Sequence, residues 1–332
     1  MRAVLALFLI LNASIANACT TFCTRGLFGR NYDWHTGAGM LMVNKRNLAK
    51  RALGPGGAQW VSRFGSVTFN QYGRDNATGG MNERGLVVEV MWLDATRYPA
   101  ADKRAPLGSL EWVQYQLDTA ASVSEVLDNA KKVRIADGRA PLHYLVADAS
   151  GDVASIEFLG GKLVVHRGDS LPVPVLANDP YAESLSSRRS SPSTRFARAA
   201  SGLKAAATLD SAFRLLDEVA LGSTQWSIVY DLQNRAIVYR TAKNRERRSV
   251  TFAKLDFTCA TPLRVLDIDE GRGDVTARFR GYTSAANEAL VRRSVRATSF
   301  LRNMSEAEIV EAARWPERAT CVRAAASSRP AR

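Results

Sequence analysis

Cys19 is the residue whose type and position point most directly to chemistry. It follows Ala16-Asn17-Ala18, a small–x–small tripeptide of the kind that signal peptidase cleaves. The chain before it has a positive start, Met1-Arg2, and an unbroken apolar run over Ala3–Leu11. Cleavage after the tripeptide would place the Cys19 thiol, with an ordinary pKa of about 8.5, beside a free α-amine with a pKa of about 8. An amine of that pKa can accept the thiol proton near neutral pH, so Cys19 is predicted to be an N-terminal nucleophile that needs no histidine.

The segment before Cys19 has alternative interpretations. A buried strand or helix is one of them, but a membrane-spanning helix needs about 20 apolar residues, and this run stops at Asn12. A lipoprotein signal also ends at a cysteine, although Ala16 and Asn17 fit its pattern poorly. We therefore expect residues 1–18 to be a signal peptide that is cleaved between Ala18 and Cys19. The mature protein is then periplasmic or secreted, without a stable membrane anchor.

Cys19 itself also has an alternative role, as a buried structural cysteine or a disulfide partner. Cys23 cannot be its local partner, because four residues of strand span about 13 Å and a disulfide needs Cα atoms within about 7 Å. Cys259 and Cys321 could pair in an oxidising compartment and leave Cys23 free, which the sequence does not decide.

Composition excludes several classes of protein. Of 332 residues, 46% are hydrophobic and 23% charged, which is typical of a globular protein and not of a disordered basic one. The 4 Cys are too few for a disulfide-dense scaffold, and the 3 His are too widely spaced for a zinc site, so we expect no metal and no cofactor. The net charge of +13 leaves open a basic exported binding protein, on the runs Arg188–Arg198 and Arg235–Arg248. Acidic residues interrupt both runs and no stacking aromatic pattern accompanies them, so nucleic acid is not expected as a partner.

Short strands and paired helices follow one another without the regular strand–helix–strand repeat of a doubly wound sheet. Cys19–Thr24 and Leu27–Tyr32 are predicted to form a hairpin around Arg25-Gly26. The other predicted strands are Met40–Asn44, Ser66–Phe69, Leu86–Met91, His143–Ala147, Val153–Phe158, Lys162–His166, Gln225–Tyr230 and Ala236–Arg240. The predicted helices are Ser109–Ala121, Ser122–Lys132, Arg195–Ala207, Asp210–Val219, Ala285–Val295 and Ser305–Ala313, with Ser186–Ser193 as a solvated loop. This pattern predicts an α+β fold with helices on antiparallel sheets.

Four further blocks carry residues that could assist a nucleophile. They are Gly29–Trp34 at the end of the second strand, Ala177-Asn178-Asp179-Pro180, Ser193–Phe196 at a helix start, and the strand Gln225–Asp231. Taken singly, each has an ordinary structural explanation. Arg30 and Asp33 could be a strand-end ion pair, Asn178 a turn residue before Pro180, and Arg195 one more surface arginine.

In this order and spacing, the blocks together resemble the choloylglycine hydrolase family. That family contains conjugated bile acid hydrolases and penicillin V acylases and belongs to the N-terminal nucleophile hydrolases. The resemblance runs from Cys19 to about Val250 and includes Asn82-Glu83-Arg84-Gly85-Leu86, and no motif after Val250 matches. It implies a four-layer αββα sandwich of two antiparallel sheets between helix layers, as a single domain over residues 19–323. It also implies a homo-oligomer, a tetramer by the family's habit; residues 324–332 are predicted to be a disordered tail.

The resemblance assigns a role to each candidate site residue. Arg30 would stabilise the Cys19 thiolate, and Asp33 would accept hydrogen bonds from the α-amine and orient it. Asn178 would donate its side-chain amide to the oxyanion of the tetrahedral intermediate, and Arg195 would supply positive charge near the thiolate.

Trp92 departs from the pattern, because many bile-salt hydrolases carry an asparagine there. Only its backbone N–H could contribute to the oxyanion contact, and its ring adds an aromatic wall that suits an apolar acyl group. This resembles the Gram-negative branch of the family, which is associated with cleavage of penicillin V and N-acyl homoserine lactones.

These observations predict an exported hydrolase of linear amides, acting on a carbon–nitrogen bond other than a peptide bond. Cys19 would attack a small-molecule amide with an apolar acyl group and form a thioester, as in a penicillin V or N-acyl homoserine lactone acylase. The alternatives are a conjugated bile salt hydrolase and, outside the enzymes, the basic exported binding protein.

Overall fold

The computed structural model describes residues 19–136 and 140–322. The predicted signal peptide, residues 1–18, and the predicted tail, residues 324–332, lie outside the described residues. Within the described ranges no helix is both long enough and apolar enough to cross a membrane.

More residues of the described chain lie in strands than in helices. In chain order they are β1 Thr20–Thr24, β2 Leu27–Asp33, β3 Met40–Asn44, β4 Leu48–Arg51, β5 Gln59–Val61, β6 Ser66–Asn70, β7 Ala77–Asn82, β8 Val87–Trp92, β9 Ala105–Leu107, β10 Val133–Ile135, β11 Leu142–Ala147, β12 Val153–Leu159, β13 Lys162–Arg167, β14 Val175–Leu176, β15 Thr224–Asp231, β16 Ala236–Thr241, β17 Arg248–Thr251, β18 Arg264–Asp267, β19 Gly273–Asp274, β20 Arg280–Gly281 and β21 Thr320–Cys321. The helices are α1 Ser109–Thr119, α2 Val123–Ala130, α3 Tyr181–Ser187, α4 Arg195–Gly202, α5 Leu209–Glu218, α6 Ser284–Ala297 and α7 Glu306–Arg314.

Two large sheets form the centre of the fold. One has the order β14-β1-β2-β15-β16-β17-β19, and its pairs are antiparallel except the last, β17 with β19. The other has the order β13-β12-β11-β8-β7-β6-β3-β18-β20 and is antiparallel throughout. Two small sheets, β10-β9 and β21-β4-β5, lie outside them.

The two sheets face each other, and helices cover their outer faces. Phe69 of β6 packs edge-on against Tyr239 of β16, with ring centroids 5.4 Å apart, inside the main hydrophobic core. Helices α4 and α5 contact the sheet that contains β1 and β2. Helix α1 contacts β7 and β8, where Trp112 packs on Tyr144 in a second core. The predicted αββα sandwich of two antiparallel sheets between helix layers is confirmed.

The β1–β2 hairpin shows how local sequence builds the framework of the site. Arg25 and Gly26 have φ angles of 46° and 79°, and a two-residue turn with both residues in this left-handed region matches the twist of the strands it joins. Thr20 is paired with Asn31, so Cys19, one residue before β1, lies beside the end of β2. The predicted hairpin is confirmed, and it brings Cys19 to the strand that carries Arg30 and Asp33.

The chain after Val250 includes a helical hairpin of α6 and α7, whose C-terminal end is attached to the rest of the fold. Helices α6 and α7 share a small core of Val291, Val295, Ile309 and Ala313. Ser305 caps α7 and Glu308 completes the predicted capping box. Beyond α7, β21 pairs with β4, and a disulfide joins Cys321 to Cys259. The hairpin is therefore held to the body of the fold by a strand pairing and a covalent link.

Most predicted helix and strand ends lie within two residues of the observed ones, and two predicted segments differ further. Helix α4 ends at Gly202 and not at Ala207, where residues 203–205 form a turn. Helix α3 includes the first two residues of the predicted loop 186–193.

Candidate active site

The Cys19 thiol is buried, with 4% of the residue exposed, between a cation and a backbone carbonyl. Its Sγ lies 3.8 Å from Arg30 Nη2 and 3.9 Å from the carbonyl oxygen of Asp33. Burial raises the pKa of the Cys19 thiol, and the Arg30 charge opposes that rise. Both Cys19 and Cys23 are free thiols. A base is therefore needed to form the thiolate, and Arg30 is placed to stabilise it.

Residues of the facing sheet fix the Arg30 guanidinium group through an ion pair and hydrogen bonds. Its Nη1 pairs with the Glu89 carboxylate and donates to the carbonyl oxygen of Thr78 at 2.8 Å, and its Nη2 donates to that of Val90 at 2.8 Å. Burial alone would lower the pKa of Arg30, but the Glu89 carboxylate raises it above its ordinary value. Arg30 therefore stays a cation, with its second terminal nitrogen directed at Cys19.

Glu89 is a buried partner of Arg30 that was not predicted from the sequence. It is fully buried on β8 and also accepts a hydrogen bond from the Tyr230 hydroxyl. A Cβ atom at Gly79, on the neighbouring strand β7, would overlap the Glu89 carboxylate, so only glycine leaves room for this ion pair. A glutamate inside an apolar strand, opposite a glycine pair, was the signal that could have revealed it.

Asp33 ends β2 next to Cys19. Its Oδ1 accepts a hydrogen bond from the Thr224 hydroxyl, while Oδ2 is buried and has no hydrogen-bond partner among the described residues. Burial raises the pKa of Asp33 to about 6, against the lowering effects of Thr224 and Arg195. The carboxyl group thus has one oxygen anchored and one available to a donor beside Cys19.

Arg195 links Cys19 to Asn178. It is the first residue of α4, whose N-cap Thr194 accepts a hydrogen bond from the Ala197 N–H. Arg195 Nη1 donates to the carbonyl oxygen of Cys19 at 2.7 Å, and Nη2 donates to Asn178 Oδ1 at 3.0 Å. The guanidinium group bridges the two residues, and its rigid, planar shape fixes the distance between the two acceptor oxygens.

Asn178 and Trp92 present their donors to the same side. Asn178 Nδ2 donates to the Trp92 carbonyl oxygen at 2.7 Å. The Leu93 N–H donates to the carbonyl oxygen of Pro141, the residue before β11. Successive residues of a strand direct their backbone groups to opposite sides, so the N–H and carbonyl of Trp92 point away from β11. The Trp92 N–H therefore points toward the Asn178 side chain, whose amide nitrogen has a second proton besides the one that Trp92 binds.

A cavity of about 600 Å³ opens at Cys19 and Arg30. Aromatic rings form its wall near the thiol: Trp34 and Trp92 have centroids 5.8 Å apart, and Phe300 lies 5.5 Å from Trp92 and 6.5 Å from Trp34. The sequence analysis assigned no role to Trp34 or Phe300. The remaining wall is largely apolar and includes Tyr32, Leu53, Leu107, Leu110, Leu142, Val291, Val295, Leu301 and Met304.

The C-terminal helical hairpin is thus part of the cavity. Phe300 lies between α6 and α7, and its side chain closes over the two tryptophans. Tyr72, another residue of the cavity wall, accepts a hydrogen bond from Trp34 Nε1 and bonds Thr298 at 2.8 Å. The part of the chain that matches no motif therefore shapes the space in front of the thiol.

The structure brings together all the site residues predicted from the sequence. Cys19 contacts Arg30, Asp33 and Arg195 directly, and Asn178 and Trp92 follow through Arg195. The arrangement offers a free thiol, a fixed cation, a carboxyl group with one oxygen that has no partner among the described residues, and two N–H donors. No group of three or more His, Cys, Asp or Glu in the described ranges could hold a metal ion.

The sequence is similar to a known protein family and to a characterised protein. Residues 18–185 match the sequence profile of the linear amide C–N hydrolases, choloylglycine hydrolase family. The chain is 30% identical over 197 residues to penicillin V acylase from Pectobacterium atrosepticum, a match over 52% of each chain. It thus spans about half the length of that curated relative.

Two solved structures resemble the fold. Penicillin V acylase from Agrobacterium tumefaciens superposes with a TM-score of 0.71 at 26% identity, over 80% of this chain and 98% of that one. A mutant of conjugated bile acid hydrolase from Clostridium perfringens has a TM-score of 0.63 at 16% identity, over 77% and 98%, and supports the fold alone. The family predicted from the sequence blocks is confirmed: the chain belongs to the choloylglycine hydrolase family of linear amide C–N hydrolases.

Proposed function

We propose that the mature chain is an exported amide hydrolase of the penicillin V acylase type, with Cys19 as its N-terminal nucleophile. The observation that carries this proposal is the geometry around one thiol. Cys19 faces a cavity, Arg30 directs a guanidinium nitrogen at its sulfur, and Asp33 holds an unpaired carboxylate oxygen beside its backbone. An α-amine at Cys19 could donate a hydrogen bond to that oxygen, which accepts none from any described residue.

Removal of residues 1–18 creates the base. The freed α-amine donates a hydrogen bond to Asp33 and accepts the Cys19 thiol proton, which yields a thiolate beside Arg30 and an α-ammonium beside Asp33. Burial raises the pKa of the thiol, so the Arg30 cation is needed to favour the thiolate in this dry site.

Attack on the substrate carbonyl forms a tetrahedral intermediate. The new S–C bond places negative charge on the carbonyl oxygen, where the Asn178 amide and the Trp92 N–H can donate to it. When the C–N bond breaks, the leaving amine takes the proton from the α-ammonium and the acyl group stays on Cys19 as a thioester. Water, deprotonated by the same amine, then adds to the thioester and releases a carboxylic acid and the thiol.

The cavity indicates which part of the substrate binds where. Its aromatic wall of Trp34, Trp92 and Phe300 adjoins the thiol, so the acyl group is the part that packs against these rings. An aromatic acyl group, such as the phenoxyacetyl group of penicillin V, or an apolar acyl chain of a homoserine lactone suits this wall. The two penicillin V acylases that resemble this chain support the same class of substrate.

The disulfide supports the export part of the proposal. Cys259 and Cys321 are joined, and disulfides form and persist mainly in oxidising compartments such as the bacterial periplasm. A periplasmic or secreted protein would acquire both this bond and the cleaved N-terminus on the same route.

A substrate panel tests the proposed function. Purified protein that begins at Cys19 is incubated with penicillin V, a glycine-conjugated bile salt and N-acyl homoserine lactones, and Cys19→Ala serves as the matched control. We expect penicillin V or a homoserine lactone to be cleaved fastest, with no turnover by the control. Preference for the bile salt would overturn the substrate assignment, and equal turnover by Cys19→Ala would overturn the nucleophile.

A further inference from the structure

A buried histidine–glutamate pair lies behind the loop that carries Asn178. His143 on β11 and Glu157 on β12 have no exposed side-chain surface, and His143 Nδ1 lies 3.1 Å from Glu157 Oε1. Burying two ionisable side chains is costly unless their hydrogen bonds are satisfied. Both ring nitrogens of His143 and Glu157 Oε1 have partners, whereas Glu157 Oε2 has no hydrogen-bond partner among the described residues. The contacts that are made indicate what the pair does.

The pair forms hydrogen bonds to both ends of the Asn178 loop, which runs from Ala177 to Tyr181. His143 Nε2 lies 2.7 Å from the carbonyl oxygen of Ala177, the residue before Asn178. Glu157 Oε1 accepts a hydrogen bond of 2.9 Å from the N–H of Tyr181, three residues after Asn178. Both strands belong to the nine-stranded sheet, whereas Ala177 directly follows β14 of the seven-stranded sheet. The pair thus ties the loop at the edge of one sheet to the body of the other.

Hydrogen-bonding rules fix the protons in this contact. A carbonyl oxygen only accepts, so His143 Nε2 must carry a proton toward Ala177. Glu157 Oε1 already accepts from Tyr181, so Nδ1 faces an acceptor too. Both side chains have no exposed surface, and hydrogen bonds are stronger in such a low-dielectric interior than in exposed loop contacts.

We propose that His143 and Glu157 are positioning residues that hold Asn178 where its amide can donate to the oxyanion. Neither touches the reacting atoms, since His143 acts through the Ala177 backbone and Glu157 through the Tyr181 N–H. His166, whose Nε2 lies 3.7 Å from Glu157 Oε2, is the other titratable neighbour of this carboxyl group. The inference rests on the function proposed above, because it gives Asn178 a catalytic task.

Three substitutions at one position test the proposal by kinetics. Glutamine at position 143 can reach the Nε2 position and donate to Ala177, whereas asparagine reaches only the Nδ1 position and leucine donates nothing. Removing an oxyanion donor outright costs about 10²–10³ in kcat, so a displaced donor is expected to cost about 10-fold or more. We expect His143→Leu and His143→Asn to lower kcat by that factor with KM changed less than about twofold, and His143→Gln to retain most of kcat. Ser155→Ala, a buried neighbour on β12 with no hydrogen-bond partner among the described residues, is the matched control and keeps wild-type kcat.

Hydrogen exchange separates this inference from the proposed function. The Asn178, Asp179 and Tyr181 amides are expected to exchange faster in His143→Asn than in His143→Gln or Ser155→Ala, whether or not any substrate is cleaved. If wild type cleaves nothing in the panel, the proposed function fails while the exchange rates still decide whether the pair holds the loop. Unchanged exchange in His143→Asn, or an equal loss of kcat in the asparagine and glutamine variants, overturns the proposal. Should His143→Leu not fold, the asparagine–glutamine comparison carries the test.

Discussion

Glu89 forms a fully buried ion pair with Arg30, and the other terminal nitrogen of the same guanidinium group faces the Cys19 sulfur at 3.8 Å. The thiol therefore depends on a residue of the opposite sheet that it never touches. Because removal of one partner leaves an uncompensated buried charge, the pair connects the stability of the fold to the chemistry of the site.

Breaking this pair is expected to cost both stability and activity. Glu89→Ala should lower the free energy of unfolding by about 3–5 kcal/mol, because Arg30 is left buried without its counter-charge. Urea denaturation followed by fluorescence measures the loss. Arg280→Ala, which removes an exposed ion pair with Glu270, is the control and should cost less than about 1 kcal/mol. Similar losses in the two variants would contradict the central position given to Glu89.

Gly79 offers a second test of the same contact without changing a charge. Gly79→Ala places a methyl group where the Glu89 carboxylate lies, so the ion pair with Arg30 must shift. We expect kcat/KM to fall about 10-fold or more, since a group misplaced by about 1 Å can cost as much as 10²-fold. Gly281→Ala, at an exposed strand position with open space around the glycine and no left-handed backbone, controls for the substitution itself. Wild-type activity in Gly79→Ala would show that the site tolerates movement of Glu89.

The pKa of Asp33 predicts an acid limb in the rate profile. Burial raises that pKa to about 6, and the carboxylate is a stronger acceptor for the α-amine than the protonated carboxyl group is. An α-ammonium beside Asp33 opposes this rise in the mature enzyme. As pH falls to 6 and below, Asp33 gains a proton, so kcat/KM on penicillin V should fall with it. A profile that stays flat between pH 7 and 4 would contradict this role for Asp33.

The same shift has a consequence for stability. The folded-state pKa of Asp33 lies above the ordinary value of 3.8, so the folded state binds its proton more tightly than the unfolded chain does. The contribution of this group to stability is therefore full below about pH 4 and is lost as pH rises through about 6. In protein that keeps several residues before Cys19, and so has no α-ammonium beside Asp33, Asp33→Asn cannot ionise. Its Tm relative to wild type should therefore increase between pH 4 and pH 7, as measured by thermal melts at both values. A Tm difference that does not change with pH would contradict the shift.

Phe300 is expected to set acyl selectivity. Its ring closes the aromatic wall over Trp34 and Trp92, so Phe300→Ala removes contact area from the acyl group and leaves the reacting atoms in place. We expect KM for penicillin V to rise several-fold with kcat little changed, and a smaller effect for a short-chain acyl homoserine lactone. Val61→Ala, an exposed apolar residue on β5 outside the cavity lining, is the control. Equal effects on the two substrates would remove Phe300 from the acyl subsite.

The disulfide is expected to stabilise the C-terminal hairpin. Replacing Cys259 and Cys321 with serine reopens a loop of 62 residues, and loss of such a bond costs about 2–4 kcal/mol. Denaturant midpoints of the double variant and of wild type, each with and without reductant, measure it. Reductant should shift the midpoint of wild type only, and a shift of the same size in the double variant would assign the effect to another cause.

Local sequence signals were enough to predict the core of the site. The Arg25-Gly26 turn fixes the β1–β2 hairpin, and that hairpin alone sets Cys19 beside Arg30 and Asp33. These residues are close in sequence and their types state their chemistry, so a turn rule and a family resemblance suffice.

Residues contributed by distant parts of the chain could not be predicted in the same way. Strand β7 was not predicted, because the pair Gly79-Gly80 is typical of a turn. In the structure Gly79 lies within the strand, where the absence of a side chain leaves room for Glu89 on the next strand. The role of α6 and α7 was missed because apolar residues on a helix are usually core, and only the fold shows that Phe300 faces a cavity. Both depend on tertiary contacts that no short window of sequence contains.

The free α-amine of Cys19 is the central claim, and a comparison of two N-termini tests it most directly. One protein begins at Cys19 and the other carries a single extra alanine before it, with all remaining residues identical. The thiol, Arg30 and Asn178 are present in both, so only the base differs. We predict that the extended protein loses penicillin V or homoserine lactone hydrolysis by at least about 100-fold, in keeping with the 10²–10⁴-fold contribution of a positioned general base. Equal rates for the two proteins would contradict the mechanism.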